Sequence, residues 1–403
     1  MNQGRGPIAA GSIEYRRINR AMAFGGFSVF ALLYCVQPLM PLLAQDFHLT
    51  PAQSSLALSV STAALAVALL MSGSVADRFG RKQLMVASMT GGALLTVLSA
   101  FTFDYTQLVA VRALLGLVLG GLPAVAMAYL SDEIEGASLG QAMGMYISGS
   151  AFGGMSGRVL SSVVSDFVSW RVAVGLLGAA GLYAAWEFSR SLPASRHAGL
   201  QRSKGPGFAE GLRRHLADEG LPWLFVLPFL LMGCFVSLYN YISYRMLAPP
   251  FGLSQSAVGA VSLLYLLGMF SSMWAGKLAD RLGRRNVLWL FMCVMIAGLL
   301  VTLFDSVIAI VLGVGLATFG FFAAHSVASS WIGRRALTAK GQASSLYLFS
   351  YYAGSSIAGT AGGVFWHLGG WNGIGLFIGV LLLIALGVAL KLAKLPPLQG
   401  VKA

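Results

Sequence analysis

Apolar residues occupy this chain in long blocks, and polar residues are confined to the short intervals between them. Each block runs to about twenty residues, enough for a helix to cross ~30 Å of hydrocarbon. Twelve blocks recur, at roughly 21–43, 53–73, 83–103, 106–130, 140–163, 169–189, 222–246, 255–276, 286–304, 306–331, 343–365 and 371–390. The pattern predicts an all-α integral membrane protein. Its fold class is twelve transmembrane helices, referred to below as spans one to twelve.

The polar intervals contain a repeat. Gly73-Ser-Val-Ala-Asp77-Arg78-Phe-Gly80-Arg81-Lys82 follows span two, and Gly276-Lys-Leu-Ala-Asp280-Arg281-Leu-Gly283-Arg284-Arg285 follows span eight. Gly73 and Gly276, Asp77 and Asp280, and Gly80 and Gly283 are each 203 residues apart, about half of the 403. The chain therefore reads as two pseudo-symmetric six-helix bundles. Gly73 and Gly276 suit a close approach between helices, and Gly80 and Gly283 a tight turn at positive φ. Asp77 and Asp280 suit capping of a neighbouring helix N-terminus.

Composition agrees with the pattern: 57% of residues are hydrophobic and 10% charged. A net charge of +13 raises the question of nucleic acid, and the placement of the bases answers it. Apart from Arg112, Arg158, Arg171 and Arg245, the lysines and arginines fall in the tails and in alternate connections, all on one face of the membrane. The positive-inside rule puts both termini in the cytoplasm. The charge is a topology signal aided by anionic lipid, and nucleic acid is not expected as a partner. The three cysteines fall inside predicted spans and read as small apolar fillers.

The longest polar interval, Arg190–Gly220, holds a flexible stretch (Arg202-Ser-Lys-Gly-Pro-Gly) and an amphipathic segment, Phe208–Glu219. It divides the chain into an N-terminal bundle (1–190), a cytoplasmic linker (191–220) and a C-terminal bundle (221–403). The other connections are a few residues long and leave no room for a soluble catalytic domain. A Gly-x-x-x-x-Gly-Lys-Ser/Thr phosphate loop, a His-Glu-x-x-His and a Cys-x-x-Cys are absent. An enzyme is therefore not expected, nor a metal site or a cofactor.

The repeated phrase resembles the signature motif of the major facilitator superfamily. Tyr34-Cys-Val-Gln37-Pro38-Leu-Met-Pro41 and Arg112-Ala-Leu-Leu-Gly116-Leu-Val-Leu-Gly120 resemble the span-one and span-four motifs of its twelve-helix drug:H+ antiporter branch. The likeness covers nearly the whole chain. It implies a conformational latch at the cytoplasmic turns, made by Gly73, Asp77, Arg78, Gly80 and Arg81 with Asp132 or Glu133 after span four. Gly276, Asp280, Arg281, Gly283 and Arg284 form the second copy. There the matching segment, Gly333-Arg334-Arg335, carries no acid, so the same pairing of charges is not expected. The branch's span-five motif carries a Gly-Pro, and Ala151–Gly157 has no proline.

Within the spans, Arg112 stands out, because a charge there costs at least ~2.5 kcal/mol on the insertion scale. Two roles fit it: a contact on the substrate or proton path, or an arginine held by backbone carbonyls. Arg158 and Arg245 lie nearer the outer ends of their spans, where they can snorkel or, as the second alternative, contact substrate. The family's cavity spans offer Tyr34, Gln37, Asn240, Tyr241, Tyr244, His325, Tyr351 and Tyr352 as cavity candidates, each equally able to serve as packing. Gln37 and Asn240 again differ by 203. All fourteen acids lie in loops or near span ends. Proton coupling, which the resemblance implies, then falls to His325, an interfacial acid such as Asp46, or the substrate itself. The resulting expectation is a monomeric secondary active transporter in a bacterial inner membrane, exporting small organic molecules by alternating access with protons as the coupling ion. Uptake by the same fold and a non-transporting membrane sensor are the alternatives.

Overall fold

The computed structural model describes residues 8, 9, 11–193, 195 and 208–395. Helix dominates, and the β-structure among the described residues is a single bridge between Ile8 and Ile134. Span one (Ile13–Tyr34) starts on a Ser12 cap, whose Oγ accepts from the Tyr15 N–H at 3.1 Å. It breaks after Tyr34 because Pro38 and Pro41 lack the backbone N–H a helix needs. A 3-10 turn (Gln37–Leu39) and a short helix (Met40–Asp46) follow. Span two (Pro51–Phe79) opens on a reciprocal cap, with the Thr50 N–H donating to Gln53 Oε1 at 2.9 Å and the Gln53 N–H to Thr50 Oγ1 at 3.2 Å.

The rest of the first half is span three (Arg81–Ser99), span four (Tyr105–Leu119 and Gly121–Glu133), span five (Gly136–Phe167) and span six (Trp170–Ser191). A linker helix (Phe208–Leu216) precedes span seven (Leu221–Leu247). Then come span eight (Gln255–Ala260 and Tyr265–Leu282), span nine (Arg284–Val301) and span ten (Val307–Arg335). Spans eleven (340–368) and twelve (371–393) form one stretch, Lys340–Ala393, interrupted by non-helical backbone at Gly369 and Gly370. Among the described residues, nine helical stretches are long and apolar enough to cross a membrane by length and composition. The last of them holds two spans, and the more polar Arg81–Ser99 and Gly136–Phe167 complete the twelve.

The chain forms two compact units: Met1–Leu39 with Val60–Ser203, and Met40–Ser59 with Lys204–Ala403. In the first, span five lies backbone to backbone on span one. A Cβ placed at Gly149, Gly153 or Gly157 would sit 2.3, 2.0 or 2.6 Å from the carbonyl oxygens of Ala23, Phe27 and Ala31. Helices packed in a membrane gain no hydrophobic advantage over lipid, so this close approach supplies the attraction. In the second unit, Gly354 of span eleven meets the Phe229 carbonyl of span seven in the same way, at 2.1 Å.

Met40–Ser59 precedes the linker yet packs with the second unit. Tyr244 donates to the Met40 carbonyl at 3.1 Å, and its hydroxyl is 2.6 Å from Ser54 Oγ. Ser356 Oγ donates to the Ser59 carbonyl at 2.7 Å.

The Arg202-Ser-Lys-Gly-Pro-Gly stretch lies outside the described residues. The linker helix after it is docked on the second unit by a buried His215, whose ring meets Phe225 edge-on at 6.4 Å. Asp218 then caps span seven, accepting from the Gly220 and Leu221 N–H groups at 2.8 and 2.7 Å, and pairs with Arg335 at the end of span ten. Burial pushes the Asp218 carboxyl up, but the Arg335 bond and the two backbone donors outweigh it, leaving the pKa below its ordinary value.

Gly80 has φ 88° and ψ 143°, and Gly283 φ 85° and ψ 138°, a region open essentially to glycine alone. Gly283→Ala should therefore cost about 1–3 kcal/mol in thermal unfolding, although a methyl group there meets only Asn286 Nδ2 at 3.6 Å. The depressed Asp218 carboxyl contributes stability above its unfolded pKa of about 3.9, lost as pH falls through the lower folded value. Asp218→Asn, which keeps the cap and loses the charge, should cost about 2 kcal/mol at pH 7 and shrink that acid-limb loss in a pH series of unfolding curves.

Candidate functional site

The two motif turns are built alike and charged differently. In the first unit Arg81 pairs with Asp132 and donates to the Ala128 carbonyl at 3.1 Å, tying span three to the end of span four. Of the two acids proposed for Arg81, Asp132 meets it. Glu133 is buried and accepts from Ser195 Oγ at 2.7 Å. Arg78 is exposed, its guanidinium 5.5 Å from the Phe79 ring centre. Gly73 and the Asp77 side chain lie outside the described residues.

In the second unit the motif acid takes the cross-span role. Asp280 accepts from Arg284 at 2.8 Å and from Arg334 of span ten at 3.3 Å, while Arg284 also donates to Ser330 Oγ at 2.9 Å. A charge pair thus exists where none was expected, with acid and base exchanged between motif and partner. Asp280 is occupied by arginines, not by a helix N-terminus. Arg281 is exposed. Gly276 faces open space, so no close helix approach requires it.

The first unit gathers polar groups at the break in span one. Arg112 is fully buried and donates to the carbonyls of Leu32 and Leu33 at 3.1 and 2.6 Å, which is the backbone-held alternative. Span four is positioned for this by Ser61 of span two, whose Oγ donates to the Arg112 carbonyl at 2.8 Å. Arg158 of span five does not snorkel. Its Nε donates to Gln37 Oε1 at 2.6 Å, its Nη1 to the Gly154 carbonyl at 2.7 Å, and its guanidinium lies 4.2 Å from the Tyr34 ring centre. Arg158 is thus the member of this cluster that sequence reasoning underrated. The available signal was its place beside Gly157, on the glycine face of span five that meets span one.

The second unit builds an aromatic box on spans seven, eight, ten and eleven. Phe235 and Phe321 stack at 3.9 Å and 6°, and the His325 ring continues the stack at 6.0 Å and 11° from Phe321. Tyr265 packs on Phe235, and Tyr351 lies 4.9 Å from His325 with Tyr352 beyond it. The Tyr347 hydroxyl is 2.8 Å from His325 Nδ1 and 3.4 Å from the His325 carbonyl. Tyr347 was missed as a partner, although its i,i+4 spacing to Tyr351 puts both on one helix face.

The remaining candidates make interhelical contacts. Asn240 Nδ2 and the Tyr241 hydroxyl both donate to the Gly359 carbonyl, at 3.5 and 2.8 Å, and Tyr244 binds Ser54 and Met40 as described. Gln37 and Asn240 therefore keep their repeat spacing but not a shared role. Arg245 is nearly buried, over Trp371, with bonds to the Thr302 and Phe304 carbonyls and to Asp305 at 2.8 Å. Its head reaches the exposed Asp305 in the turn after span nine, so it snorkels toward that turn and staples it.

The family model described as Major Facilitator Superfamily matches residues 22–332 and 241–402. The chain belongs to this superfamily. It is 50% identical over 387 residues to the inner membrane transport protein YnfM of Escherichia coli (strain K12), spanning 96% of this chain and 93% of that one. It is 44% identical to the uncharacterized MFS-type transporter YybF of Bacillus subtilis (strain 168), across 96% of each. The crystal structure of a bacterial homologue of the human lysosomal transporter Spinster, inward-facing and unoccupied, matches with a TM-score of 0.78 at 15% identity, over 94% and 97% of the two chains. That likeness shows the fold. The chain is thus a multi-pass membrane transporter of the major facilitator superfamily and not an enzyme, and the family implies a small-molecule substrate.

Arg112→Lys keeps the charge but has no planar fork to span two carbonyls. It should lower stability by about 2 kcal/mol, read as a drop in unfolding temperature of purified protein, and Arg112→Ala should cost more.

Proposed function

We propose that the protein is a secondary active transporter that exports small organic molecules across a bacterial inner membrane by alternating access, coupled to protons. The observation that carries the reading is the His325–Tyr347 pair inside the aromatic box. With every acid in a loop or near a span end, the imidazole is the group inside the box that can take and release a proton through a ring nitrogen. Tyr347 can donate to Nδ1 of the neutral ring. It can also turn its O–H to the His325 carbonyl and accept from Nδ1–H of the charged one.

The motif turns serve as the conformational latch in this reading, with Arg81–Asp132 and Asp280–Arg334 as counterparts of opposite polarity. Export follows the resemblance to drug:H+ antiporters. The concentration of lysine and arginine in alternate connections supports cytoplasmic termini.

Proteoliposome flux tests the proposal, using drugs, sugars and metabolites under an imposed pH gradient. A transported compound should move against the proton gradient. His325→Gln should lose gradient-driven accumulation while keeping substrate exchange, and Tyr347→Phe should shift the pH at which accumulation is half-maximal. Full accumulation by His325→Gln would remove the histidine from the coupling path.

A further inference from the structure

We propose that the ligand is an organic anion, an aromatic carboxylate, and that Arg158 takes its carboxylate in the place now filled by the Gln37 amide oxygen. The inference deepens the transporter reading and rests on it.

Charge placement comes first. The first unit buries two guanidiniums, Arg112 and Arg158, at the break in span one, while its acids lie in loops or near span ends. Inside a low-dielectric region their field repels a cationic ligand and attracts an anionic one. Arg112 is engaged with the carbonyls of span one, so it supplies field and rigidity.

Arg158 is arranged for recognition. Gly154 and the Tyr34 ring hold its guanidinium in one plane, and Gln37 Oε1 supplies a neutral acceptor at 2.6 Å. A carboxylate in that position makes a charge-assisted bond to Nε, stronger than the neutral one it displaces. Gln37 opens the 3-10 turn after span one, where no regular helix fixes its backbone. The aromatic requirement follows from the neighbours. Phe30 is partly exposed and stacks at 6.3 Å and 17° on Tyr34, the ring that lies against the Arg158 guanidinium, so an aromatic ligand has a stacking surface next to the proposed carboxylate position.

The test uses purified full-length protein and the probes 1-naphthoate, 1-naphthamide, 1-naphthylmethylammonium and sulfate, reading unfolding temperature. The naphthoate should raise it and the amide and ammonium should not. Arg158→Gln should abolish the response. Gln37→Glu leaves Arg158 in place and supplies an internal carboxylate. It should raise the unfolding temperature without ligand and remove the naphthoate response, which keeps the test decisive if Arg158→Gln fails to fold. An equal response to the amide or ammonium, an unchanged response in either variant, or no response to naphthoate overturns the inference. An equal response to sulfate overturns its aromatic part. Proteoliposome flux of a cationic or neutral compound alongside any of these would leave the transporter reading standing, whereas absence of all flux would sink that reading instead.

Discussion

A backbone carbonyl released by a helix end inside hydrocarbon must find a donor, because water is not there to supply one. A buried guanidinium has the complementary need for acceptors. Arg112 meets both needs at the end of span one, joining the Leu32 and Leu33 carbonyls to span four. Arg245 repeats the arrangement at the end of span nine, where Thr302 and Phe304 offer their carbonyls, and Trp371 Nε1 adds a bond to Thr302 at 3.1 Å. The breaks on which a transporter depends are thereby tolerated, and the arginines that permit them give the spans their positive charge.

Duplication explains the scaffold but not the chemistry laid on it. Gly80 and Gly283 hold nearly the same backbone angles, since a tight return into span three or span nine leaves one geometry available. Charge is freer, because any base facing any acid closes the turn. The first copy uses a motif arginine on Asp132 and the second a motif aspartate on Arg334. The polar centres differ still more: guanidiniums and an amide in one unit, a histidine among aromatic rings in the other.

Chain order and packing also part company. Met40–Ser59 precedes the linker in sequence, yet its hydroxyls and carbonyls are engaged by Tyr244 and Ser356 of the second unit. The proline-rich break at 37–41 frees this segment from the helix before it. The linker helix is likewise anchored, through His215 and through Asp218 after it, to the unit it leads into.

Much of the fold was legible in the chain because hydrocarbon imposes simple rules. Blocks of about twenty apolar residues become spans, bases mark one face, and a repeated glycine marks a turn that other residues resist. The ion pair of Arg81 could be narrowed to Asp132 or Glu133 because the phrase that holds Arg81 resembles a known motif, and Asp132 is the one it meets. The site itself was only half legible. Arg158 was placed only near a span end, and the partners of Asn240 and Tyr241 could not be named, because sequence gives depth along a helix but not the direction a side chain faces. That direction depends on which helices touch, and the glycine contacts that bring span five to span one and span eleven to span seven decide it. Sequence alone thus determined the number of spans, the repeat and the turns, all set by local solvation and backbone sterics. Tertiary structure alone decided which buried polar groups meet, since their partners lie on other helices, 121 residues away for Arg158 and Gln37 and 297 for Ser356 and Ser59.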